Sequence, residues 1–346
     1  MSTSPVTTVG GRVAVLGAGL IGQSWTALFL AAGHPVAVFD PDPAAAQRAR
    51  RSVELAWPTL RALGHTDAAG PEAELSLHTD ARSAVDGAGF VQESVPERLP
   101  IKHDLYTRIE PALPAEAIVA SSASGLTLTQ LQAGWHDPAR FVLGHPFNPP
   151  HLIPLVEVMG NEHTAPGVVA RARAFYEGVG KVTIEVRREV PGHVANRLQA
   201  ALWREAVHLV DEGVATVTDV DTAISSGPGL RWAAMGPTLL FHLGADENGL
   251  ATFCERYADS FNGWWTDLGE AHLDPATTVR LVEGLRPVTD HRSHADLIAE
   301  RDALLTAVIA ATHPPATRRP ASASCGDAGS RDASPGSRRH DDASAS

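Results

Sequence analysis

The stretch GRVAVLGAGLIG, residues 11–22, decides the fold of this chain. Its first half is a short apolar run rich in Val, which is typical of a buried strand, and its second half carries the spacing G-x-G-x-x-G. Gly17 permits a tight turn, Gly19 lets a phosphate approach the backbone, and Gly22 lets the following helix pack closely on the strand. The stretch therefore predicts a strand, a turn and a helix whose N-terminus can bind a pyrophosphate.

An acidic residue completes this pattern. Asp40 ends the next apolar strand, PVAVFD, eighteen residues after Gly22. A carboxylate at that place accepts hydrogen bonds from the ribose hydroxyls of a dinucleotide and repels a 2′-phosphate. The spacing therefore predicts NAD as the cofactor. The cofactor-binding residues predicted from this segment are Gly17, Gly19, Leu20, Ile21, Gly22 and Asp40.

Short apolar segments alternate with longer helical ones as far as Val190. The segment after Gly17 and the segment 43–63 have helical character. Continuous apolar strands separated by helices predict a mostly parallel sheet covered by helices on both faces. We expect a doubly wound α/β domain of the Rossmann type over residues 9–190. Its further predicted strands lie at 90–95, 117–122, 140–147, 155–160 and 181–186.

The pattern changes after residue 190. Pro191 and Gly192 mark a break, and the segments that follow show helical periodicity without a strand pattern. We therefore expect an all-α C-terminal domain over residues 191–312. Residues 313–346 are dominated by Pro, Ser, Arg, Asp and Ala, a composition that predicts a disordered tail.

Composition excludes several classes of protein. A formal net charge of −12 argues against nucleic acid and anionic membranes as partners. The two cysteines, Cys254 and Cys325, do not suggest a disulfide framework, which fits a reducing compartment. The N-terminus does not resemble a signal peptide, and no segment approaches the ~20 apolar residues of a membrane span. We expect a cytoplasmic enzyme that uses no metal.

Four polar residues stand out in an otherwise apolar stretch, Ser124, His145, Asn148 and Glu157, and Asn196 follows at the start of the second domain. His145 is near the end of a predicted strand, at the edge where open α/β sheets bind ligands. Glu157 follows twelve residues later on a returning strand, where it could orient the imidazole and stabilise its protonated form. Such a pair can remove a hydroxyl proton while a hydride leaves. Taken singly, His145 is more typical of a structural residue and Asn196 of a helix cap, so the prediction depends on the whole set.

The order of these motifs resembles a known family. GAGLIG with Asp40, ASSAS, HPFNP followed by LVEV, and GHVANR occur as in the L-3-hydroxyacyl-CoA dehydrogenase superfamily, and the resemblance covers about residues 11–311. It implies that His145 is the general base and Glu157 its orienting partner. It also implies that Ser124 and Asn196 bind the substrate oxygen and position the nicotinamide. Further positions that match cofactor-lining residues of the family are Glu97, Lys102 and Asn148.

One segment departs from the acyl-CoA enzymes of this family. GPGLRWAAMGP places Arg231 and Trp232 in a context that resembles the branch acting on small free acids. A free carboxylate needs a fixed cation, and a guanidinium offers a planar, bidentate partner. A surface salt bridge is the alternative role for this arginine. The resemblance therefore implies oxidation of a small 3-hydroxy acid to the 3-oxo acid, with Ser124, Asn196 and Arg231 as substrate-binding residues.

The aromatic residues of the helical part favour a carnitine-like substrate, because a quaternary ammonium group binds aromatic faces. Such clusters are also typical of a core or of a dimer interface. Gulonate and a 3-hydroxyacyl-CoA are the alternative substrates, and a crystallin-like structural protein is the non-enzymatic alternative. The resemblance also implies a homodimer that pairs through the apolar face of the helix at 193–214. The aromatic residues concerned are Trp203, Trp232, Phe241, Trp264 and Trp265.

Overall fold

The glycine-rich segment lies at the centre of an eight-stranded sheet in the computed structural model, which describes residues 11–313. In chain order the strands are β1 (Arg12–Leu16), β2 (Val36–Phe39), β3 (Leu75–His78), β4 (Ala88–Glu93), β5 (Ile118–Ser121), β6 (Phe141–Pro146), β7 (Leu155–Met159) and β8 (Val182–Glu185). They are arranged as β3-β2-β1-β4-β5-β6-β7-β8. All neighbouring pairs are parallel except β6 and β7. The predicted mostly parallel sheet is thereby confirmed.

Strand β3 is missing from the sequence prediction. It is a four-residue strand at the edge of the sheet, in which Leu75 and Leu77 alternate with Ser76 and His78, and all four are half-buried. A run this short and this polar resembles the loop around it. Its pairing with β2 makes it a strand, and strand preference depends strongly on such neighbours.

Helices cover both faces of the sheet. They are α1 (Leu20–Ala31), α2 (Ala45–Ala62), α3 (Ala81–Val85), α4 (Leu99–Ile109), α5 (Leu128–Gln132) and α6 (Val168–Gly178). Alternate residues of β1 point to opposite faces, as the pleat of a strand requires. Val13 and Val15 belong to the core that contains Trp25 on α1, whereas Leu16 belongs to the core that contains Tyr106 on α4. The doubly wound architecture is confirmed.

The part of the chain after Pro191 is helical, as predicted. Its helices are α7 (Ala195–Asp211), α8 (Val217–Ser226), α9 (Pro228–Ala234), α10 (Pro237–Leu243), α11 (Leu250–Asp267), α12 (Pro275–Thr289) and α13 (His294–Thr312). Within the described part of this region, the buried apolar side chains are those of Ala206, Val207 and Val220. One chain therefore gives these helices little core of their own.

Three sequence predictions stay open after this description. The domain boundary at 190/191 lies between β8 and α7 and stays a prediction. The start of the first predicted domain, residues 9 and 10, lies outside the described residues, as does the predicted disordered tail apart from His313. Over residues 11–313, the structure contains no helix that is both long enough and apolar enough to cross a membrane.

The antiparallel pairing of β6 and β7 positions the candidate catalytic residues. Its register places His145 directly opposite Glu157. Side chains directly opposite each other on neighbouring strands point to the same face and lie within contact distance. The returning strand that the spacing predicted is therefore present, and it brings the imidazole and the carboxylate together at one edge of the sheet.

Candidate active site

The turn between β1 and α1 fits a dinucleotide. A Cβ on Gly17 would lie 2.7 Å from the carbonyl oxygen of Ser94, and one on Gly22 would lie 1.8 Å from the carbonyl oxygen of Gly17. Side chains are therefore excluded at both positions. A Cβ on Gly19 would meet nothing within 4 Å, and no side chain caps α1, whose first-turn N–H groups stay free. Free N–H groups at an open helix N-terminus are suited to a pyrophosphate.

Asp40 lies at the end of β2, beside this turn. One carboxylate oxygen accepts a hydrogen bond of 2.9 Å from the N–H of Ala18, and the other accepts one of 3.0 Å from the N–H of Asp42. The carboxylate also lines a cavity of about 130 Å³ together with Val38 and Leu77. A largely apolar slot whose lining includes Asp40 and Asp42 fits the adenosine part of NAD. These residues are thus able to hold the cofactor that the sequence predicts.

The central geometry is a chain of three side chains. Nδ1 of His145 lies 2.8 Å from Oε2 of Glu157, and Nε2 of His145 lies 3.0 Å from Oγ of Ser124. His145 and Glu157 are buried. The second carboxylate oxygen, Oε1, accepts hydrogen bonds from the N–H groups of Val194 and Ala195 at 2.9 and 3.0 Å. Both oxygens of a fully buried carboxylate are therefore satisfied.

The environment of Glu157 determines which nitrogen of His145 can act as a base. Burial alone would raise the pKa of the Glu157 carboxyl. The hydrogen bonds from His145, Ala195 and Val194 outweigh burial, and the pKa lies below its ordinary value. An ionised Glu157 accepts the proton of Nδ1, which leaves the lone pair of Nε2 free to take a proton. That lone pair faces Ser124.

A cavity of about 290 Å³ opens beside this chain of side chains, and both the β1–α1 turn region and α7 contribute to its wall. The structure brings five predicted residues together there: Ile21, Ser124, His145, Asn148 and Asn196. Four residues that sequence reasoning did not single out complete the lining: Ser122, Pro146, Phe147 and Gln199. Gln199 could have been found from its spacing, because it lies one helical turn after Asn196 on the same face of α7.

The loop between β6 and β7 carries Asn148 and is fixed from below. Nζ of Lys181 donates to carbonyl oxygens of the loop, including that of Ile153 at 2.7 Å. The N–H of His151 donates to Oγ of Ser24 on α1 at 2.8 Å. Burial lowers the pKa of Lys181 to about 7. The loop is thereby tied both to the start of β8 and to the helix of the glycine-rich segment.

Two predicted cofactor residues lie away from this cavity. Oε1 of Glu97 accepts hydrogen bonds from the backbone N–H groups of Ser124, Gly125 and Leu126, at 2.9 Å from Ser124 and 3.1 Å from Leu126. Glu97 therefore shapes the loop that presents the Ser124 hydroxyl. The side chain of Lys102 is buried and does not line this cavity. Contact of either residue with the cofactor stays a prediction.

Lys102 belongs to a buried network that sequence reasoning missed. Its Nζ lies 2.6 and 2.7 Å from the two carboxylate oxygens of Glu93, at the end of β4. Tyr106 and Ser121 each donate a hydrogen bond of 2.7 Å to the same carboxylate. Burial and the adjacent Glu93 charge raise the pKa of Tyr106 well above its ordinary value. The network joins β4, β5 and α4 just beneath the loops of the site.

The remaining predicted substrate residue lies elsewhere. Arg231 is exposed on α9 and does not line the cavity beside His145. Phe241 and Trp265 line a different cavity, of about 300 Å³, between α10 and α11. Within a single chain, the predicted aromatic residues of the helical region therefore do not line the cavity beside His145. The described residues 11–313 contain no group of three or more His, Cys, Asp or Glu residues that could hold a metal ion.

Comparison with known proteins agrees with this geometry. Residues 12–190 match the family model described as 3-hydroxyacyl-CoA dehydrogenase, NAD binding domain, and residues 192–277 match that of its C-terminal domain. The chain is 50% identical to an L-carnitine dehydrogenase of Streptomyces coelicolor over 301 residues, which cover 87% of this chain and 94% of that protein. A second L-carnitine dehydrogenase, from Streptomyces griseus, is 48% identical over 301 residues, with coverage of 87% and 90%.

A solved structure is similar over nearly its whole length. It is the 5-formyl-3-hydroxy-2-methylpyridine 4-carboxylic acid 5-dehydrogenase, described as an NAD⁺-dependent dismutase. Its TM-score is 0.75 at 32% sequence identity, and the match covers 88% of this chain and 98% of that one. The shared architecture therefore extends through the helical region as well as the NAD-binding part.

The geometry at Asp40 predicts the cofactor preference. We expect kcat/KM with NAD to exceed that with NADP, because the carboxylate repels a 2′-phosphate. Asp40→Ala should lower kcat/KM with NAD by an amount equivalent to about 1.5–3 kcal/mol for a lost charged hydrogen bond, and should narrow the gap to NADP. Steady-state kinetics with both cofactors measure this. Equal or greater efficiency of the wild type with NADP would contradict the role of Asp40.

The hydrogen bond between His145 and Glu157 predicts a pH effect. Replacing His145 by Ala should lower kcat by about 10²–10⁴, the usual contribution of a general base.

Glu157→Gln keeps the shape of the side chain but removes the charge that stabilises the imidazolium. The acidic limb of the kcat profile for oxidation should therefore move to lower pH. An unchanged profile in Glu157→Gln would remove this carboxylate from the mechanism.

Proposed function

Because the chain belongs to the 3-hydroxyacyl-CoA dehydrogenase family, we propose that it oxidises the 3-hydroxyl of a carnitine-like hydroxy acid, with NAD as the acceptor. The observation that supports this most is the Glu157–His145–Ser124 chain, whose free Nε2 lone pair faces a cavity beside the N-terminus of α1. The similarity to L-carnitine dehydrogenases at 48–50% identity supports the choice of substrate.

The proposed chemistry assigns one task to each side chain of the cavity. The substrate hydroxyl lies between Oγ of Ser124 and Nε2 of His145, and Nε2 takes its proton. Glu157 stabilises the imidazolium that results. When bound, NAD would accept the hydride from the carbon that carries this hydroxyl. Asn196, in the first turn of α7, donates to the substrate oxygen and keeps the reacting carbon towards the nicotinamide.

The lining of the cavity suits the cationic end of a carnitine-like substrate. No Lys or Arg occurs among the residues that line it, so a trimethylammonium group meets no like charge there. Phe147 offers an aromatic face, which is worth about 0.5–2 kcal/mol to a well-placed cation. For the carboxylate, two candidates exist. Gln199 lines the cavity with a neutral amide, whereas Arg231 has the charge but lies outside the cavity of its own chain.

A homodimer belongs to the same proposal. Large apolar side chains lie exposed on the helical region, among them Leu198, which is 68% exposed, and Trp265, which is 65% exposed. A second copy of the chain presents the same surface and can cover it, as in symmetric dimers generally. Light scattering at micromolar concentration should give the mass of two chains. A monomer at that concentration would contradict the dimer.

The predicted cytoplasmic location stays a prediction.

A substrate panel tests the activity. NADH formation at 340 nm should be fastest with L-carnitine, and slower with gulonate, 3-hydroxybutyrate and a 3-hydroxyacyl-CoA. Carnitine amide, which lacks the anion, should be a poor substrate. Preference for the CoA thioester or for gulonate would replace the proposed substrate. Absence of turnover with every compound would favour the crystallin-like structural role.

Two matched variants identify the carboxylate ligand. Arg231→Met removes the charge of the guanidinium and keeps much of the side chain. Gln199→Leu removes the side-chain amide group and keeps a side chain of similar size. Loss of the residue that binds the carboxylate should raise KM for L-carnitine by an amount equivalent to about 1.5–3 kcal/mol, whereas KM for carnitine amide should be unchanged. We expect this in Arg231→Met, whereas a bystander on the surface changes by less than about 0.5 kcal/mol. If only Gln199→Leu alters the ratio of acid to amide turnover, Arg231 has no part in the site.

A further inference from the structure

A second histidine lies against the candidate base and takes no part in the proton transfer proposed above. The ring centroids of His193 and His145 are 5.1 Å apart, with their planes at 55°. His193 is only 2% exposed. It belongs to the turn between β8 and α7 and immediately precedes Val194, whose N–H donates to Glu157.

The His193 ring also contacts the loop that presents Ser124. Its Nε2 lies 3.3 Å from the carbonyl oxygen of Ala123. A carbonyl only accepts, so Nε2 carries the proton and Nδ1 is an unprotonated acceptor. Nδ1 is buried and has no hydrogen-bond partner among the described residues. A buried acceptor without a donor is uncommon and indicates that the ring does more than fill space.

The backbone of His193 is unusual as well. Its φ of 50° is the only positive value at a non-glycine residue within 11–313, and Gly192 before it has φ of 74°. Residues other than glycine seldom adopt this conformation, and those that do cluster at functional sites. Here the two positive φ values turn the chain so that α7 begins with the N–H groups of Val194 and Ala195 directed at Glu157.

These contacts form a continuous path through the site. We propose that His193 is a positioning residue that ties the Ser124 loop to the first turn of α7 and so holds the backbone donors on Glu157. The inference rests on the proposed roles of His145, Glu157 and Ser124. One residue thus sets the two partners of the base, Ser124 on one side and Glu157 on the other.

The charges around His193 suit this role. Burial lowers the pKa of His193, and the adjacent His145 lowers it further, which favours the neutral form of the His193 ring. The acidic groups that face it are Glu157 on β7 and Glu97 in the loop after β4. A neutral His193 does not repel the imidazolium that forms on His145. The pair of histidines therefore holds a single proton after the hydroxyl is deprotonated.

Two variants separate positioning from simple packing. His193→Phe keeps an aromatic ring but loses the donor to Ala123 and disfavours positive φ. His193→Gln places an amide N–H at about the distance of Nε2 and can donate to the same carbonyl. His34→Asn is the matched control, because Nδ1 of His34 also lies 3.3 Å from a backbone carbonyl, that of Gly11, at the opposite edge of the sheet.

His193→Phe should lower kcat by about 10- to 100-fold, as expected for a slightly misplaced catalytic pair. KM for NAD should stay within about twofold, because the cofactor residues are untouched. The acidic limb of the pH profile should move to higher pH, since a Glu157 without its backbone donors stabilises the imidazolium more strongly. His193→Gln should retain most of kcat, and His34→Asn should change neither quantity.

Hydrogen exchange supplies a readout that does not require turnover. In His193→Phe the amides of Val194 and Ala195 should exchange at least about tenfold faster, while His193→Gln should protect them. This tests the positioning role even if the substrate proposal fails. The inference is overturned if those amides and the pH profile are unchanged in His193→Phe. It is equally overturned if both variants lose activity only in proportion to their loss of Tm.

Discussion

The site depends on one antiparallel pairing in an otherwise parallel sheet. β7 returns beside β6 in the register that places Glu157 opposite His145, only twelve positions later in the sequence. A parallel partner would need a crossover of a dozen or more residues before its first strand residue. The short return is therefore what makes an imidazole and a carboxylate neighbours both in sequence and in space. It also explains why the loop between the two strands, with Asn148, lies in the same cavity.

The helical region completes what the sheet begins. Glu157 is ionised in a buried place because Val194 and Ala195 donate to it, and these residues lie at the start of α7. The same helix carries Asn196 and Gln199 into the cavity wall. The Rossmann part alone would leave Glu157 with an unsatisfied buried oxygen, at a cost of about 1–3 kcal/mol or more for a charged group. Catalytic geometry and the junction of the two parts are therefore one structural feature.

Sequence reasoning succeeded where local pattern and burial coincide. Long apolar runs predicted the buried strands, and polar residues within them pointed to His145 and Glu157. It failed at β3, whose strand character comes from pairing with β2 rather than from its own residues. The role of Arg231 stays a prediction, because α9 packs against α8, α10 and α13 and the guanidinium does not line the cavity of its own chain. Spacing along a chain contains no information about how separate helices pack.

Two buried carboxylates, Glu93 at the end of β4 and Glu157 within β7, show why only one of them is suited to catalysis. The carboxylate of Glu93 is held by Nζ of Lys102 and also accepts hydrogen bonds from two hydroxyl groups and from the N–H of Val95. Glu157 has backbone donors on one oxygen and, on the other, an imidazole, whose charge can change near neutral pH. A carboxylate lowers the energy of a reaction step only if its partner gains charge during that step. Whether a buried carboxylate is structural or catalytic therefore depends on the residue that it faces. Glu157 is suited to catalysis because it faces His145, whose Nε2 can take a proton.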